Sequence, residues 1–317
     1  MIKKYSNPDA VAIRQQVLRG IAGNRTPGLH FPGFFLDTRW QEAAGKAACV
    51  SIPDGAHCRD ANGEMDVVAI AVLADTALAT ATRLLIEPGA RLATIHMQIQ
   101  FTGAPATGEV SADARLLGFG TGGALHQSLT SATLTANGKP LCYASGEFVL
   151  LQPPPGVTLA PLPWQQEMPP ADAPLDESKL DARERTILEA CDAALAKSSS
   201  HVSFIQQFWG GVPKRAANGT TMRVALGPHL GNRVGHLQGG ISFGMAAACA
   251  CAAVPETMML SNMSAWYIGP GHGKAVTVKS NVVHAGRSIA VVRTEIKTAA
   301  GERVLEAVTN HVARKRE

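Results

Sequence analysis

Two patterns of apolar residues follow one another along the first half of this chain. Nearly every residue in 66–85 is apolar, which predicts a helix buried on all sides and ended before Pro88. Residues 94–101 then alternate apolar and polar side chains, which predicts a half-buried strand. Short turns with Gly or Asn separate three further predicted strands, near 109–117, 124–135 and 140–150. One buried helix wrapped by an antiparallel sheet is therefore expected.

The second half repeats this order of elements. A second apolar helix is predicted over 240–254, where Pro255 stops it. Four strands are predicted after it, near 260–268, 275–284, 288–298 and 303–313. The turn sequence at 135–139 resembles the one at 298–302, and each lies between two predicted strands. Such self-similarity over a domain-sized period indicates a tandem duplication.

A helix wrapped by an antiparallel sheet is the hotdog architecture, so the chain is predicted to be an α+β protein with a double hotdog fold. The N-terminal hotdog domain is placed at 1–150 and the C-terminal one at 176–317, which begins with an amphipathic helix from Asp176 to Lys197. Residues 151–175 are rich in proline and are predicted to form an extended linker. A chain of 317 residues that is 46% apolar can bury two cores.

The amino-acid composition limits which binding partners and which cellular compartment are expected. The net charge is +4 without a basic stripe, so nucleic acid is not expected as a partner. No export signal or membrane span is visible, and the six cysteines have no framework spacing, so reduced thiols and a cytoplasmic location are expected. No metal-ligand pattern is present, and neither a metal nor a cofactor is predicted.

Each half keeps one part of a possible catalytic site. The first helix carries a single carboxylate, Asp75, which is costly to bury unless it has partners or a chemical role. The second helix opens with Gly239 and Gly240, whose free N–H groups favour an anion at the helix N-terminus. Ala247 occupies the position of Asp75 in the second half. A single site at the joint between the two domains is therefore predicted.

These motifs resemble the phenylacetate-pathway (PaaI-like) type of hotdog acyl-CoA thioesterase. That family has Asn, then His-Gly-Gly six residues later, then Leu-Ala-Asp-Thr-Ala on the following helix. The first half matches the last motif at 73–77, and the second half has Asn232 and Gln238-Gly239-Gly240. Here Asp66-Val67-Val68 replaces His-Gly-Gly in the first half, and Gln238 replaces the histidine in the second.

The resemblance implies a thioester hydrolase that acts on acyl-CoA. Asp75 would activate water or attack directly, while the Gly239 N–H would hold the oxyanion. Asn232 and Gln238 would position the carbonyl, and Thr94 falls within a residue of a hydroxyl that assists the family's aspartate. The family associates in pairs, so a homodimer is the expected assembly.

Substrate-binding candidates carry less specific signals. Gly240 lets a thioester oxygen approach, and His236 lies two residues before Gln238. Arg287 follows a turn glycine after which family members place a basic residue near the nucleotide, and Arg233 is beside Asn232. A structural role is open for each of these side chains, including a turn role for Asn232.

Two other functions compete with hydrolysis. A hotdog enoyl-CoA hydratase or dehydratase would depend on His30, whose His30-Phe31-Pro32-Gly33 sequence resembles a dehydratase motif. That motif lies well upstream of the first central helix rather than directly before it, so chance similarity is the preferred interpretation. The third possibility is a non-catalytic acyl-CoA-binding module. The acyl group is not specified by the sequence.

Overall fold

The computed structural model describes residues 6–315 except 88, 121–122, 124–125, 153–159 and 166–174. The first half of the chain contains three helices and six strands in the order α1 (Ala10–Asn24), α2 (Phe31–Phe35), β1 (Arg39–Ala44), β2 (Ala47–Ile52), α3 (Val67–Arg83), β3 (Arg91–Phe101), β4 (Val110–Gly120), β5 (Gln127–Ala136) and β6 (Lys139–Leu151). The second half contains α4 (Ala182–Leu195), α5 (Phe204–Trp209), β7 (Lys214–Ala216), β8 (Gly219–Ala225), α6 (Gly239–Cys251), β9 (Met258–Tyr267), β10 (Ala275–Ala285), β11 (Ile289–Thr298) and β12 (Arg303–Ala313).

All twelve strands of the described chain form one antiparallel sheet. Its order is β1-β2-β4-β5-β6-β3-β9-β12-β11-β10-β8-β7. Strands β3 and β9 pair at the centre, where Met97 is opposite Ala265. The order of strands is the same on both sides when read outward from this pair. The two halves are therefore related by an approximate twofold arrangement, as the duplication predicts.

The two central helices pack against each other inside this sheet, backbone to backbone. A Cβ atom added at Gly240 would lie 2.5 Å from Val72 Cα, and one added at Gly244 would lie 2.5 Å from Val68 Cα. No side chain larger than hydrogen fits at these two positions. Because Gly240 meets Val72 and Gly244 meets Val68, α3 and α6 run antiparallel. This contact brings the N-terminus of α6 beside Asp75.

The predicted central elements are confirmed, with small differences at their ends. Helix α3 begins one residue later than expected because Asp66 caps it, with its Oδ1 accepting a hydrogen bond from the Val68 N–H at 2.9 Å. The eight strands predicted after the two helices are all present. The alternation of apolar and polar residues in the sequence matches the alternation of buried and exposed side chains, because each strand has one face on the core.

The helix predicted from Asp176 to Lys197 needs correction. Asp176 caps only a short turn, Glu177–Lys179, and helix α4 begins later. Asp181 and Glu184 form a capping box, in which each side chain accepts from the other residue's backbone N–H. These reciprocal bonds fix the start of α4, so Asp176 was the wrong cap.

Several elements were not predicted because they lie in the segments that precede each central helix. Strands β1 and β2 extend one edge of the sheet, and β7 and β8 extend the other. Helices α2 and α5 meet in an aromatic cluster of Phe31, Phe35, Phe204, Phe208 and Trp209. Helix α1 packs against α2, and helix α4 packs against α1 and α5. These helices join the two leader segments and hold the halves together away from the sheet.

Two further expectations concern the whole chain. None of the helices in the described ranges is long and apolar enough to cross a membrane. All six cysteines are free.

Most of the predicted linker, 153–159 and 166–174, lies outside the described residues, and the intervening Leu162 and Pro163 are buried.

Candidate active site

Asp75 lies in the middle of α3 and is 8% exposed, with its carboxylate held by groups from both halves of the chain. The Thr94 hydroxyl, on β3, donates to Oδ1 at 3.0 Å. The Gln238 side-chain N–H, from the residue that caps α6, donates to Oδ2 at 2.8 Å. These two bonds orient the carboxylate toward the N-terminus of α6. The predicted meeting of Asp75 with the Gln238–Gly240 segment is thus present in the geometry.

Most N–H groups in the first turn of α6 have partners. The Ile241 N–H donates to Gln238 Oε1 at 2.8 Å, and the Ser242 N–H donates to Gln238 O at 3.0 Å. The Gly240 N–H faces the Asp75 carboxylate and lowers its pKa. The Gly239 N–H has no partner among the described residues. Since free N–H groups at a helix N-terminus favour negative charge, this one is available to an anionic ligand.

Gly239 also packs directly against the carboxylate. A Cβ atom at this position would lie 3.0 Å from Asp75 Oδ2. Its carbonyl oxygen accepts from the Ser242 hydroxyl at 2.8 Å and from the Tyr267 hydroxyl at 3.1 Å. These two bonds fix the Gly239–Gly240 peptide. The absence of a side chain lets the Gly239 backbone lie close to the Asp75 carboxylate.

The environment of Asp75 sets its pKa close to neutrality. Burial raises the pKa from 3.8 to about 6, because a charged carboxylate loses its hydration. The Thr94 hydroxyl, the Gly240 N–H, the positive charge of Arg83 and the Gln238 amide each lower it and so limit the rise. Asp75 is therefore mostly ionised at neutral pH and still basic enough to accept a proton.

A cavity of about 440 Å³ opens beside this carboxylate. Its size is within the range of small-molecule sites. Asp75, Thr94, Gln238 and Gly239 all line it. The other walls are largely apolar and include Trp40, Leu92, Phe148, Leu162 and Trp164. The site thus combines a carboxylate, a free N–H group and an apolar chamber.

Part of the predicted linker forms one wall of the cavity. Trp164 packs against Trp40 with ring centroids 5.5 Å apart, and the Trp40 indole N–H donates to the Thr80 hydroxyl at 3.2 Å. The Ala160 carbonyl accepts from Arg233 Nη2 at 2.6 Å. Sequence reasoning missed this wall, because a proline-rich segment carries no periodic signal of burial.

The other predicted binding residues divide into two groups. Asn232, Arg233 and His236 line the cavity. The Asn232 side chain also has the turn role, since its Oδ1 accepts from the N–H groups of Val234 and His236, both at 3.0 Å. Gly240 is not part of the cavity wall, and Arg287 lies in the exposed turn between β10 and β11, away from that wall.

The position in the second half that corresponds to Asp75 is filled by packed apolar residues. Ala247, the counterpart of Asp75, is fully buried. Asp66 caps α3 as Gln238 caps α6, and burial raises its pKa to about 6. Asp66 does not line the cavity described above. The geometry therefore places the complete set of groups on one side of the α3–α6 contact.

His30 and Arg83 also line the cavity. His30 was considered only for the competing hydratase or dehydratase, and Arg83 was not predicted as a site residue. His30 Nδ1 accepts from the Gly33 N–H at 3.1 Å and caps α2. Burial, with smaller contributions from the charges of Arg233 and Arg83, lowers the His30 pKa to about 4, so the ring is neutral. Arg83 is on the same helix as Asp75, two turns further on, and this spacing could have identified it.

Among the described residues, no three His, Cys, Asp or Glu side chains are grouped so as to hold a metal ion.

The comparisons with known proteins agree with this architecture. Residues 229–312 match the family model described as the acyl-CoA thioesterase N-terminal domain. A Lactobacillus plantarum protein provisionally described as an oleoyl thioesterase superposes with a TM-score of 0.52 and 13% identity, over 85% of this chain and 97% of its own. A protein of unknown function with a hot dog fold from Alicyclobacillus acidocaldarius gives 0.52 and 10%, over 88% and 97%.

The tesB protein of Mycobacterium avium subspecies paratuberculosis gives a TM-score of 0.51 and 12% identity, over 87% of this chain and 96% of its own. The chain has a double hotdog fold. A search of curated protein sequences found no match. At these identities the structural likeness identifies the fold, while the family match over 229–312 supports the predicted class, a thioester hydrolase. That match includes Asn232, Gln238 and Gly239 but not Asp75.

Proposed function

We propose that this protein hydrolyses acyl-CoA thioesters at one composite site between its two hotdog domains. The observation that carries the proposal is the placement of Asp75, held by Thr94 and Gln238, next to the free N–H of Gly239. The cavity beside them would hold the acyl group. Release of free thiol from acyl-CoA by the purified protein tests this function. Binding without release would instead favour a non-catalytic acyl-CoA-binding module.

The groups in the site are sufficient for hydrolysis. The thioester carbonyl oxygen accepts from the Gly239 N–H, which stabilises the negative charge that develops on that oxygen. Asp75 takes a proton from water as the water oxygen bonds to the carbonyl carbon. The tetrahedral intermediate then collapses, the C–S bond breaks, and the proton passes from Asp75 to the leaving thiolate. The products are the free acid and coenzyme A, and Asp75 regains its charge.

Asn232 and His236 extend the site beyond the reacting atoms. Both residues line the cavity near the N-terminus of α6. The hydrogen bond from the His236 N–H to Asn232 Oδ1 fixes the turn that leads into this helix. We assign them to positioning of the thioester carbonyl and the adjoining part of coenzyme A. Arg233 is assigned below to a different part of the ligand. The phenylacetate-pathway subtype, the homodimer, the role of Arg287 and the cytoplasmic location stay predictions.

A base role for Asp75 is favoured over direct attack. Each of its carboxylate oxygens accepts a hydrogen bond from a side chain, and both bonds reduce the nucleophilic character of the carboxylate. A single turnover in water enriched in the heavy oxygen isotope tests for direct attack followed by opening of an acyl–Asp75 anhydride at the Asp75 carbonyl, which leaves the label on Asp75. We expect the label in the acid released by that first turnover. Unlabelled acid would instead show that an Asp75 oxygen enters the product through an anhydride.

Thr94→Val is expected to shift the pH dependence of the reaction. In the wild type, kcat/KM should fall as pH drops through about 6, where Asp75 becomes protonated. The Thr94 hydroxyl stabilises the charged carboxylate, so its removal raises the Asp75 pKa and moves this acid limb to higher pH. A pH profile of kcat/KM for both proteins makes the comparison. An acid limb that stays in place or moves to lower pH contradicts the base role.

A hydratase is the second candidate, because His30 lines the same cavity. Its ring is neutral and its Nδ1 already accepts from Gly33, which leaves Nε2 for a ligand. This reaction would add water to an enoyl-CoA without release of thiol. The two activities are therefore separable in one assay mixture by following the thiol and the conjugated double bond together.

A further inference from the structure

Three arginines line the cavity: Arg83, Arg91 and Arg233. Neither Arg83 nor Arg233 forms a salt bridge in the part of the chain that the structure describes, whereas six arginines elsewhere pair with Asp or Glu. Asp75 is the one acidic residue in the described wall of the cavity, and it is already held by Thr94, Gln238 and Gly240. The chamber therefore has an excess of positive charge.

The hydrogen-bonding capacity of the Arg83 and Arg233 side chains is largely unused. A guanidinium has five N–H donors. Arg83 makes one long bond, from Nη1 to Ala90 O at 3.4 Å, and Arg233 makes one, from Nη2 to Ala160 O at 2.6 Å. Arg233 Nη1 is buried and has no hydrogen-bond partner. Buried charged donors are normally paired, so this arrangement is incomplete without a ligand.

Both side chains line the same cavity, and the positive charge of Arg233 acts on Arg83. The pKa of Arg83 falls to about 10, first because the side chain is buried and second because of the positive charge of Arg233. Both side chains remain charged at neutral pH. Their repulsion is relieved when an anion binds between them. Planar carboxylates suit guanidinium groups because two parallel N–H···O bonds can form.

The location of Arg83 relative to Asp75 indicates which part of a ligand it meets. Eight residues separate them on α3, a rise of about 12 Å. The Arg83 guanidinium donates to Ala90 O, four residues before Thr94, which contacts Asp75. Leu92, Phe148 and Trp164 contribute apolar walls to the same space. A short acyl chain with its thioester at Asp75 would direct its far end toward the arginines.

We propose that the preferred acyl group carries a carboxylate at the end distant from the thioester, and that Arg83 and Arg233 bind this carboxylate. The substrate class would be the mono-thioester of a short dicarboxylic acid. This inference rests on the proposed thioesterase function for its reaction, but the recognition itself is a matter of binding. The phosphates of coenzyme A are the competing anion. An acyl carboxylate is favoured because apolar walls line the cavity around Arg83, which is on the helix that carries Asp75.

The test compares two acyl chains of the same shape. Glutaryl-CoA carries the distal carboxylate, and its isostere carries an isopropyl group at that place. The ratio of kcat/KM for the two substrates is measured for the wild type, Arg83→Met and Arg83→Lys, with the exposed Arg223→Met as the control. We expect the wild type to prefer glutaryl-CoA. The preference should fall by about 30-fold or more in Arg83→Met, in part in Arg83→Lys, and not in Arg223→Met.

Two further arms separate the possible outcomes. The same ratio is measured with N-acetylcysteamine thioesters, which lack every phosphate of coenzyme A, and the preference should persist. A loss in Arg83→Met that affects both chains equally and vanishes with these short thioesters would assign the arginines to phosphate and overturn the proposal. So would a wild type that hydrolyses both chains equally well.

Binding is read independently of turnover. Calorimetry with non-hydrolysable thioether analogues of the same two ligands gives the wild-type preference directly. Tighter binding of the carboxylate analogue without hydrolysis of any thioester would support the recognition while rejecting the thioesterase function. Equal binding of the two analogues, together with normal hydrolysis, would reject the recognition alone.

Discussion

Asp75→Asn is expected to lower kcat by at least about 100-fold, because the amide cannot accept the proton of the attacking water. Asn keeps the size of the side chain and one acceptor oxygen, so the contacts with Thr94 and Gln238 are largely retained. Steady-state thiol release from an acyl-CoA substrate measures the loss. Turnover within a few-fold of the wild type would remove Asp75 from the chemistry.

The same variant should not unfold more easily, and this distinguishes a chemical role from a structural one. The folded-state pKa of Asp75, about 6, is above its ordinary value of 3.8, so the folded protein binds more protons between these values. The contribution of Asp75 to stability therefore falls as pH rises through that window and stays low above it. Asn carries no charge. The Tm of Asp75→Asn minus the Tm of the wild type should therefore be larger at pH 7 than at pH 4.

Gly239→Pro is expected to lower kcat by about 100-fold to 1,000-fold relative to Gly239→Ala, because proline has no N–H to hold the oxyanion. Gly239 is the first residue of α6, where proline is tolerated, and Gln238 before it already has the extended backbone that a proline requires, with φ −67° and ψ 140°. The helix should therefore form in both variants.

Gly239→Ala is the matched control. Its Cβ would lie 3.0 Å from Asp75 Oδ2, as the proline Cβ would, so both variants crowd the carboxylate to a similar degree. Any loss common to both reports this crowding, and the difference between them reports the N–H together with the ring Cδ that replaces its hydrogen. Equal kcat values for the two variants, with intact circular dichroism, would show that another group stabilises the oxyanion.

The central part of the fold was predictable because each element there has a single buried pattern. Helix α3 is apolar on all sides and is enclosed by the sheet, and the strands that follow it alternate with period two. The complementary losses in the two halves, Asp75 kept against Ala247 and Gly239 kept against Val67, predicted a single composite site. Asp75 lies directly beside Gly239, as the two complementary losses predict.

The outer parts could not be read in the same way. Strands β1 and β7 are short edge strands with mostly exposed side chains, so they lack a clear alternation. Trp164 is in a proline-rich segment, and its burial against Trp40 arises from a long-range contact that no local pattern reports. Arg83 was overlooked because a basic residue in the last turn of a helix normally serves the helix dipole. Its cavity position depends on packing of α3.

The measurement that tests the account most directly is thiol release from a panel of acyl-CoA esters, short, medium, long, aryl and dicarboxylic, by the wild type, Asp75→Asn and Gly239→Pro side by side. A composite site predicts that the wild type hydrolyses acyl-CoA and that both variants, one altered in each half of the chain, lose this activity. Hydrolysis that survives either change would contradict a composite site, and tight binding of acyl-CoA without any release of thiol would contradict the thioesterase function.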